Sequence, residues 1–254
     1  MIEHTPGGPG IPPTWTSSAK DMVGCALGIS RLWFTLGIGI VNEVSYPRVD
    51  IPQIRDLGFI IADGEGFWAE VKRIGNYRIR LLAPGVPAVE VVHEHERYTL
   101  VIECLLDGDS KLRPYALLAP HLGASGYGNR AAVVLYRRRR TLWAEQGPFG
   151  AALASVDEKQ RDAIGRASAG YVGSRDGWQD FLHNGRMTWE YETAGSENVA
   201  LIAELPRRVV LALGFGSSAE AAATLAIGSL LQPIDSVLQQ HIAGGTASRP
   251  VAFG

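Results

Sequence analysis

The chain has 254 residues and a formal net charge of −2, with 46% apolar and 20% charged residues. A chain of this length buries roughly 70–75% of the surface of its unfolded form, so its core needs no disulfide or metal staple. No long run of Lys and Arg or of apolar residues is present, which argues against nucleic-acid binding and against a membrane span.

Residues 1–18 contain several Pro and Gly and an acidic residue, but no basic segment followed by an apolar run. Nothing in them resembles a secretion signal, and we therefore expect a cytoplasmic protein. Either Ser17 or Ser18 could cap a short helix that continues to Met22. Ser17 and Lys20 also form an S-x-x-K motif, in which Lys can activate a Ser nucleophile. Helix capping is the preferred interpretation, and a serine hydrolase (esterase) is the alternative.

Short apolar stretches separated by Gly, Pro, Asp and Asn fill the sequence from Gly24 to about residue 215. Their lengths are those of strands, and polar and apolar residues alternate in 67–71 and 77–81, as half-buried antiparallel strands require. No repeat of strand and helix interrupts this pattern. The sequence therefore predicts a mainly β fold, an antiparallel sandwich with one substantial helix near the C-terminus.

Gly37 and Gly39 resemble the start of a dinucleotide-binding loop, but Asn42 occupies the position of the third Gly. No strand–helix–strand unit surrounds them, although the three glycines act together only in that setting. A β-bulge is the preferred interpretation of these glycines.

His93 and His95 lie two residues apart on a predicted strand, a spacing that allows two imidazoles to share a metal ion. No third ligand can be identified, so we expect no metal and no cofactor, and we interpret the pair as part of a solvated strand of mixed charge. Cys25 and Cys104 lack the spacing of a zinc site and are predicted to be buried thiols.

The last strand of the pattern, in 207–216, leads into Ser217-Ser218-Ala219-Glu220, an S-x-x-E capping box. A free loop at 214–218 could alternatively hold an anion, but the capping box already uses some of its N–H groups. The Ala-rich segment that follows favours a helix starting near Ser218 and ending before Pro233. A second short helix is predicted over 235–242, followed by an irregular end.

Several long strings in the sequence, rather than any short motif, are similar to those of one known family. They include PGIPPTWTSSAKD, SRLWFTLGIGIVNEVSYPRVDIPQIRDLGF, LWAEQGPFG, RASAGYVGSRDGWQDF and LALGFGSSAEAAATLA. They resemble the N-terminal domain of bacterial glucoamylases and glucodextranases of glycoside hydrolase family fifteen. The resemblance implies a β-supersandwich of the galactose-mutarotase-like type over residues 1–243, with an irregular tail over 244–254.

The resemblance places the general acid and base on Glu residues of a helical (α/α)6 barrel that follows this domain in the family. These residues have no counterpart in the 254 residues, so we expect a shortened, non-catalytic and carbohydrate-associated domain. Tyr46, Arg48 and Asp50 are then the residues expected to meet a barrel or a sugar. Ser45 and Ile38 depart from the family pattern, where Tyr and Arg or Asn are common.

Aromatic residues are the other candidates for contact with a sugar. Five Trp would offer stacking faces if exposed, although most are expected in the core: Trp33, Trp68, Trp143, Trp178 and Trp189. A domain that normally docks against a barrel would also leave an apolar face in water. We therefore expect self-association as a homodimer through the loop Asn42–Asp50, with Val44, Tyr46 and Pro47 as its apolar surface.

Overall fold

The computed structural model describes residues 3–8, 21–24, 31–63, 65–84, 88–107, 111–116, 119–124, 130–136, 139–146, 149–195 and 198–247. Strands dominate these residues up to Gly216, as the apolar pattern predicts. Two sheets of nine strands each face one another, and every pairing between their strands is antiparallel. The predicted antiparallel sandwich is confirmed.

The strands of the first sheet are β1 Met22–Gly24, β2 Trp33–Gly37, β3 Ile40–Ser45, β4 Pro52–Ile54, β5 Asp56–Ala62, β6 Trp68–Glu70, β11 Ala119–Ala124, β15 Ala167–Tyr171 and β17 Val199–Ala203. They are arranged in the order β1-β2-β3-β5-β11-β17-β15, with β4 beside β3 and β6 beside β5.

The strands of the second sheet are β7 Tyr77–Leu81, β8 Val89–His95, β9 Tyr98–Asp107, β10 Lys111–Ala116, β12 Arg130–Tyr136, β13 Arg139–Gln146, β14 Phe149–Val156, β16 Thr193–Ala194 and β18 Val209–Gly216. They are arranged in the order β16-β12-β13-β14-β18-β10-β9-β8-β7.

The main core lies between the two sheets. It is built from alternate residues of the strands, such as Phe34 and Phe59 from the first sheet and Leu100 and Leu213 from the second, all at most 1% exposed. At the edge of the second sheet, β7 keeps the half-buried character that its alternating sequence predicts. Burial of these alternate side chains from both sheets supplies the main driving force for the sandwich.

A tight hairpin turn joins β2 and β3 at Ile38 and Gly39. Both residues have positive φ, 51° and 72°, as a two-residue hairpin turn requires. The β-bulge predicted from Gly37 and Gly39 is therefore wrong, because the irregular register lies earlier, between Thr35 and Leu36. Gly39 is needed at its position for a second reason: a Cβ there would lie 2.4 Å from Cε1 of His93.

A helix over Ala219–Leu230, α2, covers the outer side of the second sheet and explains why β18 is buried on both faces. Its N-cap is Ser218, whose hydroxyl accepts a hydrogen bond from the Ala221 N–H, so the helix begins where predicted, although Ser217 is not the capping residue. A Cβ on Gly214 would lie 2.1 Å from the Ala222 carbonyl oxygen. Gly214 therefore serves close packing of helix against strand.

Two further helices differ from the sequence prediction. Helix α3 spans Ile234–Ala247, so it continues beyond the predicted end at residue 242 and into the predicted irregular tail. Helix α1, Gly177–Asn184, was not predicted, and it packs on the outer side of the first sheet. Met22, predicted to be helical, lies in strand β1 and pairs with Leu36. A short 3-10 helix, Val71–Arg73, completes the described elements.

Candidate functional site

The candidate site suggested by the sequence is a tight turn at residues 46–51, between β3 and β4. It begins with a cis peptide bond between Tyr46 and Pro47. Two backbone hydrogen bonds close it, from the Tyr46 N–H to the Ile51 carbonyl (2.9 Å) and from the Ile51 N–H to the Arg48 carbonyl (3.0 Å). The buried Gln53 amide also donates to the Tyr46 carbonyl, at 3.2 Å. These three hydrogen bonds hold the backbone of the turn in one conformation.

The Tyr46 side chain points into the core rather than into water. It is 9% exposed, and its ring lies 5.6 Å from that of Phe149 in an edge-to-face arrangement and 5.7 Å from that of Phe215. The guanidinium of Arg31 lies 5.9 Å from the same ring. Edge-to-face aromatic pairs add to the stability that burial alone gives. Tyr46 therefore holds the turn in place and offers little surface to a partner.

Three consecutive residues, Arg48, Val49 and Asp50, are exposed on the outside of the turn. Arg48 donates through Nε to Asp50 Oδ1 at 2.9 Å and through Nη2 to Asp50 Oδ2. These hydrogen bonds lower the pKa of Asp50 and raise the pKa of Arg48, so both groups are charged at neutral pH. Val49 is 63% exposed although it is apolar.

The apolar surface that the loop Asn42–Asp50 presents to solvent differs from the one expected from the sequence. Val44 is fully buried, Tyr46 is nearly so and Pro47 is half-buried, so the prediction that these residues offer apolar surface is wrong for the first two. The side chains of alternate strand residues that face the core cannot also face a partner. Val49 is instead the apolar side chain that the loop presents, beside the Arg48–Asp50 ion pair.

The remaining candidates from the sequence are the S-x-x-K pair and the two histidines. Ser17 and Lys20 fall outside the described residues. His93 is fully buried against Gly39, with Nε2 2.6 Å from its carbonyl oxygen, so the prediction of a solvated strand is wrong for this residue. His95 stacks on Tyr98, with ring centroids 4.9 Å apart. Within the described ranges, no three His, Cys, Asp or Glu side chains are grouped to hold a metal ion.

Burial changes the proton affinity of two of these side chains. The pKa of His93 lies below its ordinary value because desolvation disfavours the imidazolium, which outweighs the hydrogen bond to the Gly39 carbonyl. Cys104 is a buried free thiol, as predicted, and burial raises its pKa to about 12. Cys25 falls outside the described residues. Both groups are buried, His93 is a weaker base than usual, and the Cys104 thiol stays protonated at neutral pH, so neither suits a catalytic role.

The five candidate tryptophans divide into two groups. Trp143 is 2% exposed and belongs to the core under helix α2, whereas the other four are half-buried. Two of these are already covered on one side by guanidinium groups: Arg73 lies 4.9 Å from the Trp178 ring, and Arg175 lies 5.4 Å from the Trp189 ring. Trp68 and Trp178 also pack against a buried cluster on the first sheet, so most of the five tryptophans contribute to the core, as expected.

His121, in β11, is a further residue whose type would suit a sugar-facing position. Its backbone pairs with Gly58 and Ile202 in the first sheet, and its side chain lies outside the part of the chain that the structure describes. In that described part, none of the helices has the length and apolar character needed to cross a bilayer.

Comparison with known proteins places these features in context. The family described as glucodextranase, domain N, matches residues 5–246. A glucoamylase from Clostridium sp. (strain G0005) is 26% identical over 258 aligned residues, which cover 92% of this chain and 36% of that protein. The crystal structure of a bacterial glucoamylase complexed with acarbose superposes with a TM-score of 0.87 at 23% identity, over 96% of this chain and 39% of that one. The chain thus spans little more than a third of the length of these relatives. The esterase alternative gains no support from any of these matches.

Proposed function

Because the chain belongs to the glucodextranase domain N family, we propose that it is a non-catalytic, carbohydrate-associated domain of the glucoamylase type and that its 46–51 turn contacts a catalytic barrel. The observation that supports this proposal is the exposed Val49, which a buried Tyr46 ring and two backbone hydrogen bonds hold in a fixed position. A rigid loop that presents an apolar residue loses little entropy when it binds.

The chemistry of the turn fits docking better than catalysis. Its two charged groups, Arg48 and Asp50, neutralise each other and keep ordinary charge states, whereas catalytic groups generally have pKa values tuned towards the operating pH. Hydrolysis of a glucosidic bond also requires an acid and a base on opposite sides of the sugar. We assign that pair to a barrel rather than to this domain.

The proposal can be tested with a chimera in which this chain replaces the matching segment of the Clostridium glucoamylase. Val49→Asp would place a charge in the proposed contact, and we expect a lower melting temperature of the barrel and weaker hydrolysis of maltooligosaccharides. Leu182→Asp, on helix α1, is the matched control, because Leu182 is 51% exposed and lies on a different surface. If both variants behave like the parent chimera, the turn does not dock.

The isolated chain gives the second test. With maltooligosaccharides it should release no glucose, and with a short-chain p-nitrophenyl ester it should show no turnover. Glucose release would show that hydrolysis resides in this domain. Ester turnover that Ser17→Ala abolishes and Ser18→Ala spares would establish the hydrolase alternative instead.

A further inference from the structure

A cleft of about 400 Å³ opens where β5 of the first sheet ends and β9 of the second sheet begins. Its volume falls at the lower end of the range of about 300–1,000 Å³ typical of ligand pockets. No residue of the 46–51 turn lines it. The residues that line it include Ile61, Asp63, Phe67, Arg97, Thr99 and Arg207.

Arg97 is held in a fixed orientation on one side of the cleft. Its Nη2 donates to Asp63 Oδ2 at 2.8 Å, and its guanidinium lies 4.5 Å from the centroid of the Phe67 ring. Asp63 is itself fixed, because its Oδ1 accepts from the Glu65 N–H at 2.7 Å and from the Phe67 N–H at 3.1 Å. The ion pair and the cation–π contact connect the two sheets and leave Nε and Nη1 of Arg97 without a partner among the described residues.

Arg207 supplies a second guanidinium from the loop between β17 and β18. In the part of the chain that the structure describes, it has neither an ion pair nor a hydrogen bond, whereas its neighbour Arg208 pairs with Glu158 at 2.9 Å. The charged groups that line the cleft are thus two guanidiniums and one carboxylate, and that carboxylate already accepts three hydrogen bonds. The cleft carries a surplus of positive charge and of hydrogen-bond donors.

We propose that this cleft binds a small molecule that carries an oxyanion, a carboxylate or a phosphate, on a sugar-sized body. Guanidinium groups recognise both oxyanions through paired, charge-assisted hydrogen bonds. Arg207 and the two free nitrogens of Arg97 would hold the oxyanion. Thr99 and the apolar surface of Ile61 would contact the rest of the ligand.

Calorimetric titration of the chain with glucose 6-phosphate, glucuronate, inorganic phosphate and glucose, at constant ionic strength, tests this proposal. We expect glucose 6-phosphate or glucuronate to bind, and the comparison between them identifies the oxyanion. Arg207→Gln and Arg97→Gln should each weaken that binding at least about tenfold, the loss expected for hydrogen bonds to a charged group. Arg208→Gln, at the adjacent position, which pairs with Glu158 and does not line the cleft, should leave it unchanged.

Thermal unfolding of each variant, followed in the same buffers, shows whether it is folded. Among the described residues Arg207 makes neither an ion pair nor a hydrogen bond, so Arg207→Gln should keep the melting temperature of the parent chain even if Arg97→Gln lowers it. The proposal is overturned if neither sugar anion binds, if glucose binds as tightly as they do, or if Arg208→Gln weakens binding as much as Arg207→Gln. Because Val49 lies outside the cleft, Val49→Asp should bind the anion normally whether or not the 46–51 turn docks.

Discussion

Replacement of Gly39 by Ala tests the packing of the β2–β3 hairpin against the buried His93. The new Cβ would lie 2.4 Å from Cε1 and 2.7 Å from Nε2 of His93, and 2.8 Å from Cγ of Tyr77. These are atoms of buried or half-buried rings, so they cannot move aside as the end of a flexible side chain can. The substitution would also disturb the hydrogen bond between His93 and the Gly39 carbonyl.

The matched control is Gly75→Ala. Gly75 has φ of 73°, almost the same as the 72° of Gly39, but a Cβ added to Gly75 would have no atom within 4 Å. Both variants therefore place Ala in the left-handed region, at a cost of about 1–2 kcal/mol. Gly39→Ala adds about 1–3 kcal/mol for overpacking and about 1 kcal/mol for the weakened hydrogen bond. We expect it to lower the free energy of unfolding by about 2–4 kcal/mol more than Gly75→Ala does.

Urea unfolding at about pH 7.5, where His93 is neutral in both states, measures this difference by tryptophan fluorescence. The dependence of the free energy on urea concentration should be the same for both variants, so that the midpoints can be compared directly. Equal destabilisation by the two substitutions would refute the reasoning, because it would mean that the contact with His93 contributes nothing to stability.

Three further predictions concern other parts of the molecule. Asp180 is fully buried and accepts hydrogen bonds from the N–H groups of Thr188 and Trp189. Because the amide of Asn would weaken these charge-assisted hydrogen bonds, Asp180→Asn should lower the free energy of unfolding by about 1.5–3 kcal/mol, as measured by urea unfolding. His93 has a lowered pKa when folded, so the unfolded chain binds more protons below about pH 6.5 and stability should fall as the pH drops below that value. His93→Gln should reduce this fall in thermal melts. An unchanged pH dependence would contradict the conclusion that protonation of His93 causes the loss of stability. Sedimentation at micromolar concentration should show a dimer that Val49→Asp dissociates, and a monomeric parent chain would mean that the exposed apolar surface is too small to drive association.

The sequence predicts the sandwich and helix α2 because their signals are local. Alternation of polar and apolar residues within a strand, and an Ala-rich segment between Ser218 and Pro233, each report the structure of the segment that contains them. Helix α1 had comparable signals, an N-cap at Asp176 and a left-handed Gly185 at its end, but it is only eight residues long. Strand-like segments on both sides concealed it, since short helices depend on tertiary packing more than on propensity.

The features that the sequence did not reveal depend on contacts between distant segments. A strand pattern shows that His93 and His95 share a face, but it does not show that this face packs against Gly39, 54 residues earlier. The same holds for the cleft, where Asp63 and Arg97 are 34 residues apart and flank strands of different sheets. The burial of Tyr46 between Phe149 and Phe215 likewise follows only from the packing of the two sheets.

The role of the 46–51 turn can be measured most directly by amide hydrogen exchange. The exchange of Val49 and Asp50 would be compared between the isolated chain and the chimera with the Clostridium glucoamylase. At a concentration low enough to keep the isolated chain monomeric, our account predicts rapid exchange at both exposed residues in that chain and marked protection in the chimera, with Leu182 on helix α1 unchanged. Equally rapid exchange of Val49 and Asp50 in both proteins would contradict the proposal that this turn is the docking contact.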